Sequence, residues 1–328
     1  MSQATLGDAS RGLRRGYKRV KRWITFQLLR LVISPISFLP ESLAFPLGRA
    51  LGALAYVFAP RPRSRARRQL GERLGLDRPS AEETTRSMFR HFGWMIVELL
   101  LLSRDPTRLL RWVSLDAHGV ELLARLTASG RGAIAISAHL GNWELLAPRI
   151  AAEGYGLLTA ARENANRDFD RWVVALRERG GVRTIHRGDA AAFLEVRRIL
   201  RTKSFFAALI DQDTRVPSVF VPFLGRPAST PRAPAELALR LDLPVFAGFI
   251  VRDGPGRHHV VLEEISTAEL AGDSRDARVE ALTARMSAVI ERHLRSAPEQ
   301  WVWFHERWKH VSAADHPGAV AALPPDRS

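Results

Sequence analysis

The chain has 328 residues, 46% of them hydrophobic, which is ample for a buried core and excludes a disordered or fibrous protein. It has no cysteine, so disulfides, thiolate metal sites and a cysteine nucleophile are excluded, while the redox compartment stays open. A formal charge of +15, carried mostly by arginine, points to a polyanionic partner: nucleic acid, anionic lipid headgroups or an acidic protein.

In chain order, residues 1–22 read as a basic tail in which Arg11, Arg14, Arg15, Lys18, Arg19, Lys21 and Arg22 form a collar before the apolar run "WITFQLLRLVISPISFLP". A second apolar run, "SLAFPLGRALGALAYVFA", spans residues 42–59 and ends at another basic cluster, "RPRSRARR". A spanning helix needs about 20 predominantly apolar residues, and Arg30, Pro35, Pro40, Glu41, Pro46 and Arg49 interrupt these runs. They read as helices lying in, or dipping into, a membrane interface, with the collars against an anionic membrane surface on the cytoplasmic side. Ordinary core helices are the competing reading. A cleaved signal peptide is a third, although no small-residue cleavage site follows.

Residues 72–110 read as helical, giving an N-terminal helical, membrane-associated region over 23–110. From residue 111 short apolar runs alternate with helical patterns, the signature of an α/β domain extending to residue 311. Strands are expected at 132–137, 204–210, 244–251 and 258–265. "RDFDRWVVALRERGG" has helical periodicity and a Gly180–Gly181 stop, Asp189 is a candidate cap for "AAAFLEVRRILRTK", and a long helix covers about 276–295. Residues 312–328 read as a loose tail.

The chemistry concentrates in "IAISAHLGNWELL", residues 134–146, where an apolar strand ends in His139, Gly141, Asn142 and Glu144. Ligands of α/β folds bind outside the carboxyl ends of strands. His139 and Glu144 do not share a helix face, and they meet only if His139 lies on the turn and Glu144 in the first helical turn. Gly141 permits the turn, Asn142 is a suitable N-cap, and Pro148 requires the helix to start late or bend. A carboxylate on one ring nitrogen would fix the tautomer and leave the other as a base for an alcohol proton. A surface ion pair or a satisfied core histidine fits the same spacing. No second histidine stands at ligand spacing for a metal, and neither G-x-x-x-x-G-K-[ST] nor G-x-G-x-x-G occurs.

"HLGNWE" resembles the H-x-x-x-x-[DE] signature of glycerolipid acyltransferases, in the glutamate-ending form of the bacterial lipid A biosynthesis acyltransferases. "ARENANRDFDRWVVALRERGG", "DQDTRVPSVFVPFLGRPAST" and "APEQWVWFHERWK" are similar to that family's later segments, in the same order. The resemblance covers roughly residues 20–310. It implies an α/β fold with a mixed sheet flanked by helices and an N-terminal membrane-seated segment at the cytoplasmic face of the inner membrane. It further implies transfer of a fatty acyl chain from acyl carrier protein, or less often coenzyme A, to a hydroxyl of a lipid A precursor, without a cofactor.

Carried over by position, His139 would be the general base, Glu144 its orienting partner, Asp211 a supporting carboxylate, and Arg177, or Arg179 in another register, an oxyanion or phosphate partner. Asn142, Arg162, Asp213, Arg226 and Arg232 are expected to bind substrate, and Arg215 stands beside the last two. "TPRAPAELA" departs from the family, which usually has glycine after the threonine. Another lipid acceptor (lysophosphatidic acid or a phosphatidylinositol mannoside-type glycolipid) and a non-catalytic basic membrane-binding protein are the alternatives. No nucleic acid is expected, because basic and aromatic residues do not alternate as stacking platforms require.

Overall fold

The computed structural model describes residues 34–161, 166–186 and 192–310. The collar of residues 11–22, Arg162, Asp189 and the tail of residues 312–328 lie outside them.

Helices come first: α1 (Glu41–Phe58), α2 (Pro60–Leu74), α3 (Arg78–Arg104) and the short α4 (Arg108–Trp112). The start of α3 is capped by Asp77, which accepts from the Ser80 N–H at 2.9 Å, with Pro79 in the first turn where no N–H is needed. α1 lies so close to α3 that a Cβ on Gly93 would stand 2.0 Å from the Gly48 carbonyl oxygen, which restricts that crossing to glycine. Trp94 then donates its indole N–H to the Phe45 carbonyl at 3.1 Å.

The chain continues through β1 (Val113–Ser114), α5 (Ala117–Leu126), β2 (Ala133–Ser137), α6 (Trp143–Ala151), β3 (Gly156–Ala161), α7 (Arg167–Arg179) and β4 (Val182–His186). It then forms α8 (Ala192–Ile199), β5 (Ser204–Leu209), the hairpin β6 (Ser218–Phe223) and β7 (Arg226–Pro231), α9 (Ala233–Leu241), β8 (Val245–Gly254), β9 (Arg257–Ile265) and α10 (Arg275–Ser296). The main sheet runs β1-β9-β8-β2-β5-β3-β4, parallel throughout except for the antiparallel β8–β9 pair. The four expected strands are β2, β5, β8 and β9, and the sheet is mixed. Strands β1, β3, β4, β6 and β7 are additional to those expected from the sequence.

Alternation along the strands feeds two layers. Ile134 and Ile136 join the core formed with Ala235, Ala238, Leu282 and Met286 of α9 and α10, together with Leu70, Met88 and Phe89 of α2 and α3. Ala133 and Ala135 face the opposite layer, with Leu145, Leu146 and Ile150 of α6. Each fully buried Ile, Leu or Met among them contributes about 1.5–3 kcal/mol by leaving water. The sheet is thus flanked by helices, and the N-terminal helices share its core.

From β2 the chain crosses to β3 on the far side of β5, and from β5 it reaches β8 on the far side of β2. The crossovers part between β2 and β5, which makes the carboxyl ends of those strands the topological switch point.

Among the described residues no single helix is long and apolar enough to cross a membrane; α1 and α2 together have the length and composition but bend by 90° at their junction.

Candidate active site

β2 and β5 are paired in parallel with Ser137 opposite Leu209, and the Ile210 N–H donates to the Ser137 carbonyl at 3.2 Å. Two residues further on, His139 and Asp211 therefore emerge side by side. Asp211 Oδ1 lies 2.7 Å from His139 Nδ1, and Oδ2 accepts the His139 backbone N–H at 2.8 Å. Oδ2 also accepts the indole N–H of Trp301 at 2.8 Å. Burial alone would push the Asp211 carboxyl up, but His139 and these three donors outweigh it and hold the group down at about 2. An ionised carboxylate at Nδ1 assigns the ring proton there, leaving Nε2 with its lone pair. The His139 side chain is 18% exposed, so the ring stands at the edge of the fold rather than inside it.

Gly141 sets the turn. Its φ is +63°, and a Cβ there would stand 1.8 Å from the Ile250 carbonyl oxygen. Its N–H donates to the Gln300 carbonyl at 3.1 Å, and Leu140 bridges to Trp301, so the closing segment is stitched directly to the histidine loop. α6 begins after this turn and runs for 9 residues with Pro148 inside it. Pro148 has no N–H to offer the Glu144 carbonyl one turn before it, so the helix runs through the proline with that bond missing.

The expectation that Glu144 orients His139 is corrected by this geometry. Glu144 accepts from Arg177 Nε at 2.8 Å and Nη2 at 2.6 Å, and from the Trp143 indole at 3.2 Å, but makes no hydrogen bond to His139. The Trp143 ring meets both, standing edge-on to His139 with centroids 4.9 Å apart. Of the two candidate arginines, Arg177 reaches Glu144, while Arg179 turns to the Ser103 carbonyl. Although burial would lower the Arg177 guanidinium, Glu144 raises it. A bidentate pair with little exposure is a fixed element of the wall, so Arg177 does not stand there as a free anion receptor.

Asn142 also needs correction. It occupies the N-cap position of α6 without capping it, has no exposed surface, and donates instead to Glu98 Oε2 at 2.9 Å. Glu98 lies at the centre of a buried network that the sequence did not reveal. It takes both Nη groups of Arg252, the Gly256 N–H at 3.1 Å and His258 Nε2 at 3.0 Å, while Arg252 Nε reaches His91 Nδ1 at 3.1 Å. Burial disfavours the Glu98 carboxylate, but Arg252 and His258 more than compensate and hold it ionised well below its usual range. This network ties α3, the β8–β9 hairpin and the histidine turn together.

Asp213 is likewise occupied structurally, holding the His310 backbone N–H at 2.7 Å and Nδ1 at 2.5 Å. Arg232 pairs with Asp276 and Glu236. Arg215 and Arg226 are exposed, and Arg226 is near enough to Arg73 to lower it beyond the effect of burial. Thr230 receives the buried Arg307, which also bonds the Ser229 carbonyl; burial brings that guanidinium down to about 10 despite Asp211 and Asp213.

Two further side chains stand at the histidine. The amide nitrogen of Gln212 lies 3.0 Å from His139 Nε2 and 2.9 Å from His305 Nε2. Neither residue carries a signal of its own in the sequence. Gln212 sits between the two aspartates of "DQD", and His305 within a tryptophan-rich run that reads as packing. Among the described residues no group of His, Asp and Glu is arranged to hold a metal ion.

An imidazole at a strand end, backed by a carboxylate at Nδ1 and partly exposed, is arranged to take a proton from a hydroxyl. The family of bacterial lipid A biosynthesis acyltransferases matches residues 13–310. The chain belongs to that family. It is accordingly an acyltransferase, acting in acyl transfer to a lipid acceptor. Among lipid A acyltransferases it is 25% identical over 288 residues to the lipid A biosynthesis palmitoleoyltransferase of Escherichia coli, covering 83% of this chain and 86% of that one. It is 26% identical over 294 residues to the lipid A biosynthesis lauroyltransferase of the same organism, covering 88% and 90%. The phosphatidylinositol mannoside acyltransferase of Mycolicibacterium smegmatis is 24% identical over 197 residues, 59% of this chain and 62% of that one.

Proposed function

We propose that the protein moves a fatty acyl chain from an acyl carrier protein thioester to a hydroxyl of a lipid A precursor, with His139 Nε2 as general base. The observation that carries this is the clamp of Asp211 on Nδ1, which presents Nε2 as an acceptor and stabilises the imidazolium that forms. His139 takes the hydroxyl proton as the oxygen attacks the thioester carbonyl carbon. The tetrahedral intermediate collapses by breaking the carbon–sulfur bond, and the departing thiolate recovers the proton from His139. The products are the new ester and the free thiol of the carrier, with no covalent enzyme intermediate. General base catalysis contributes about 10²- to 10⁴-fold, so positioning of donor and acceptor and stabilisation of the oxyanion supply the rest.

A seat at the cytoplasmic face of the inner membrane is supported by α1, on which Leu43, Leu47, Leu54, Val57 and Phe58 are exposed, beside the basic residues of α2. The same basic surface suits an acidic carrier protein, and the exposed Arg226 suits a headgroup phosphate. A second acceptor class, a phosphatidylinositol mannoside-type glycolipid, is favoured only by the likeness to the M. smegmatis enzyme.

Lipid mass spectrometry of cells lacking the gene, complemented with wild type or His139→Ala, tests the reading. Loss of one acyl chain from lipid A, restored by wild type alone, is expected. A chain lost from another lipid would move the acceptor, and unchanged lipids in the deletion strain would remove the enzyme reading.

A further inference from the structure

His139, Gln212 and His305 form a polar triplet at the mouth of the site, and its geometry is more specific than three neighbouring groups require. The Gln212 amide nitrogen stands 3.2 Å from His139 Nδ1 and 3.0 Å from Nε2. A point that close to both ring nitrogens cannot lie on the outward in-plane axis of either, so the amide sits beside the imidazole and leaves the Nε2 lone pair free. Its firm partner is His305 Nε2 at 2.9 Å, which takes one N–H. The other N–H has no acceptor in line, because Nδ1 already carries the proton given to Asp211.

The hydroxyl that surrenders its proton to Nε2 must lie on the free in-plane axis. The thioester carbon is bonded to that oxygen in the tetrahedral intermediate, and the oxyanion is one bond beyond, within reach of a donor placed beside Nε2 but off its axis. Several other donors near the histidine are committed. The His139 N–H and the Trp301 indole are held by Asp211, the Gly141 N–H by Gln300, the Trp143 indole by Glu144, and two Arg177 groups by Glu144.

We propose that the side-chain amide of Gln212 donates to the oxyanion of the tetrahedral intermediate, and that His305 is the positioning residue that aims it. This rests on the acyl-transfer reading above. The segment carrying His305 is pinned from outside, since Gln69 donates to the carbonyls of Trp303 and His305 at 2.7 and 2.8 Å, and Arg65 to that of Phe304 at 3.1 Å. Burial, reinforced by His139, brings His305 down to about 4, so it stays neutral near pH 7, and in the tautomer protonated at Nδ1 its Nε2 accepts the Gln212 N–H. The donor is thus preorganised before substrate arrives.

The test uses the purified full-length protein in lipid vesicles, with acyl carrier protein thioester and whichever lipid hydroxyl acceptor wild type acylates. Gln212→Met removes the donor at similar size and is expected to lower kcat by about 10²- to 10³-fold with KM nearly unchanged. Gln212→Glu, polar but without an N–H, gives the same result and serves if the Met variant does not fold. Gln212→His, which restores a donor, recovers most of the loss. His305→Phe lowers kcat and His305→Gln, which returns an acceptor, rescues it, a contrast that loss of packing would not produce. Folded Met and Glu variants that retain wild-type kcat would overturn the assignment and leave the acyltransferase reading intact. Wild type that transfers no acyl chain to any lipid hydroxyl would overturn both.

Discussion

Asp211 holds His139 at two points, the ring Nδ1 at 2.7 Å and the backbone N–H at 2.8 Å, across a separation of 72 residues. The first contact sets the tautomer and the second fixes the loop on which the ring stands. Both follow from the parallel register of β2 and β5, so the base and its carboxylate are positioned by the sheet rather than by a local turn.

Asp211→Asn keeps the shape but removes the charge that stabilises the imidazolium and fixes its tautomer. Its kcat should fall by about 10²- to 10⁴-fold with little change in KM. Asp211→Ala also strands the buried indole N–H of Trp301 and should cost about 1–3 kcal/mol of stability, read as a lower denaturant midpoint. An Asn variant with wild-type turnover would place the orienting carboxylate elsewhere.

Glu144 and Arg177 act as one unit, and their effects should not add. Glu144→Gln and Arg177→Met are each expected to reduce transfer less than Asp211→Asn, and the double variant to be no worse than the more affected single one. Steady-state kinetics on the four proteins of the cycle decide this. Additive losses would mean that one of the pair contacts substrate on its own.

The strand end and the glycine turn are legible around His139, because an apolar run and a residue needing positive φ are both local signals. The orienting carboxylate is not, because nearness along the chain favours Glu144, whereas the decisive neighbour depends on which strand lies beside β2. Periodicity carries no such information. Strands β6 and β7 escape notice because Pro222, Pro227 and Pro231 break the pattern of a central strand, and these prolines are tolerated in a separate two-stranded hairpin. The Glu98 network is unreadable for a similar reason: Arg252 looks like the polar end of an apolar strand until the fold buries it against α3.

Breaking that network should be costly. Arg252→Met leaves the Glu98 carboxylate buried without its main counter-charge and should lose about 3–5 kcal/mol of stability. Replacing both, as Glu98→Met with Arg252→Met, should lose less than the single change. Chemical denaturation of the three variants measures it; a double variant worse than Arg252→Met would contradict the charge argument.

Acid should destabilise the fold through His91. Burial, and then Arg252, depress this imidazole from 6.5 to about 3, so the unfolded chain binds its proton at a higher pH than the folded one does. The His91 contribution is therefore fully present above about pH 6.5 and is lost progressively as the pH falls toward 3, at up to about 1.4 kcal/mol per pH unit. Thermal midpoints taken from pH 7 to pH 4.5 should fall less steeply for His91→Gln than for wild type. Parallel slopes would assign the acid sensitivity to other groups.

Single-turnover acyl transfer reads out whether His139, held by Asp211, activates a lipid hydroxyl. Purified wild type, His139→Ala and Asp211→Asn would be mixed in vesicles with acyl carrier protein thioester and a lipid A precursor, and the product followed by mass. Wild type should yield the precursor with one added acyl chain, with the rate falling by about 10²- to 10⁴-fold in both variants while the donor remains bound. Transfer at the wild-type rate by folded His139→Ala would mean that another group takes the hydroxyl proton.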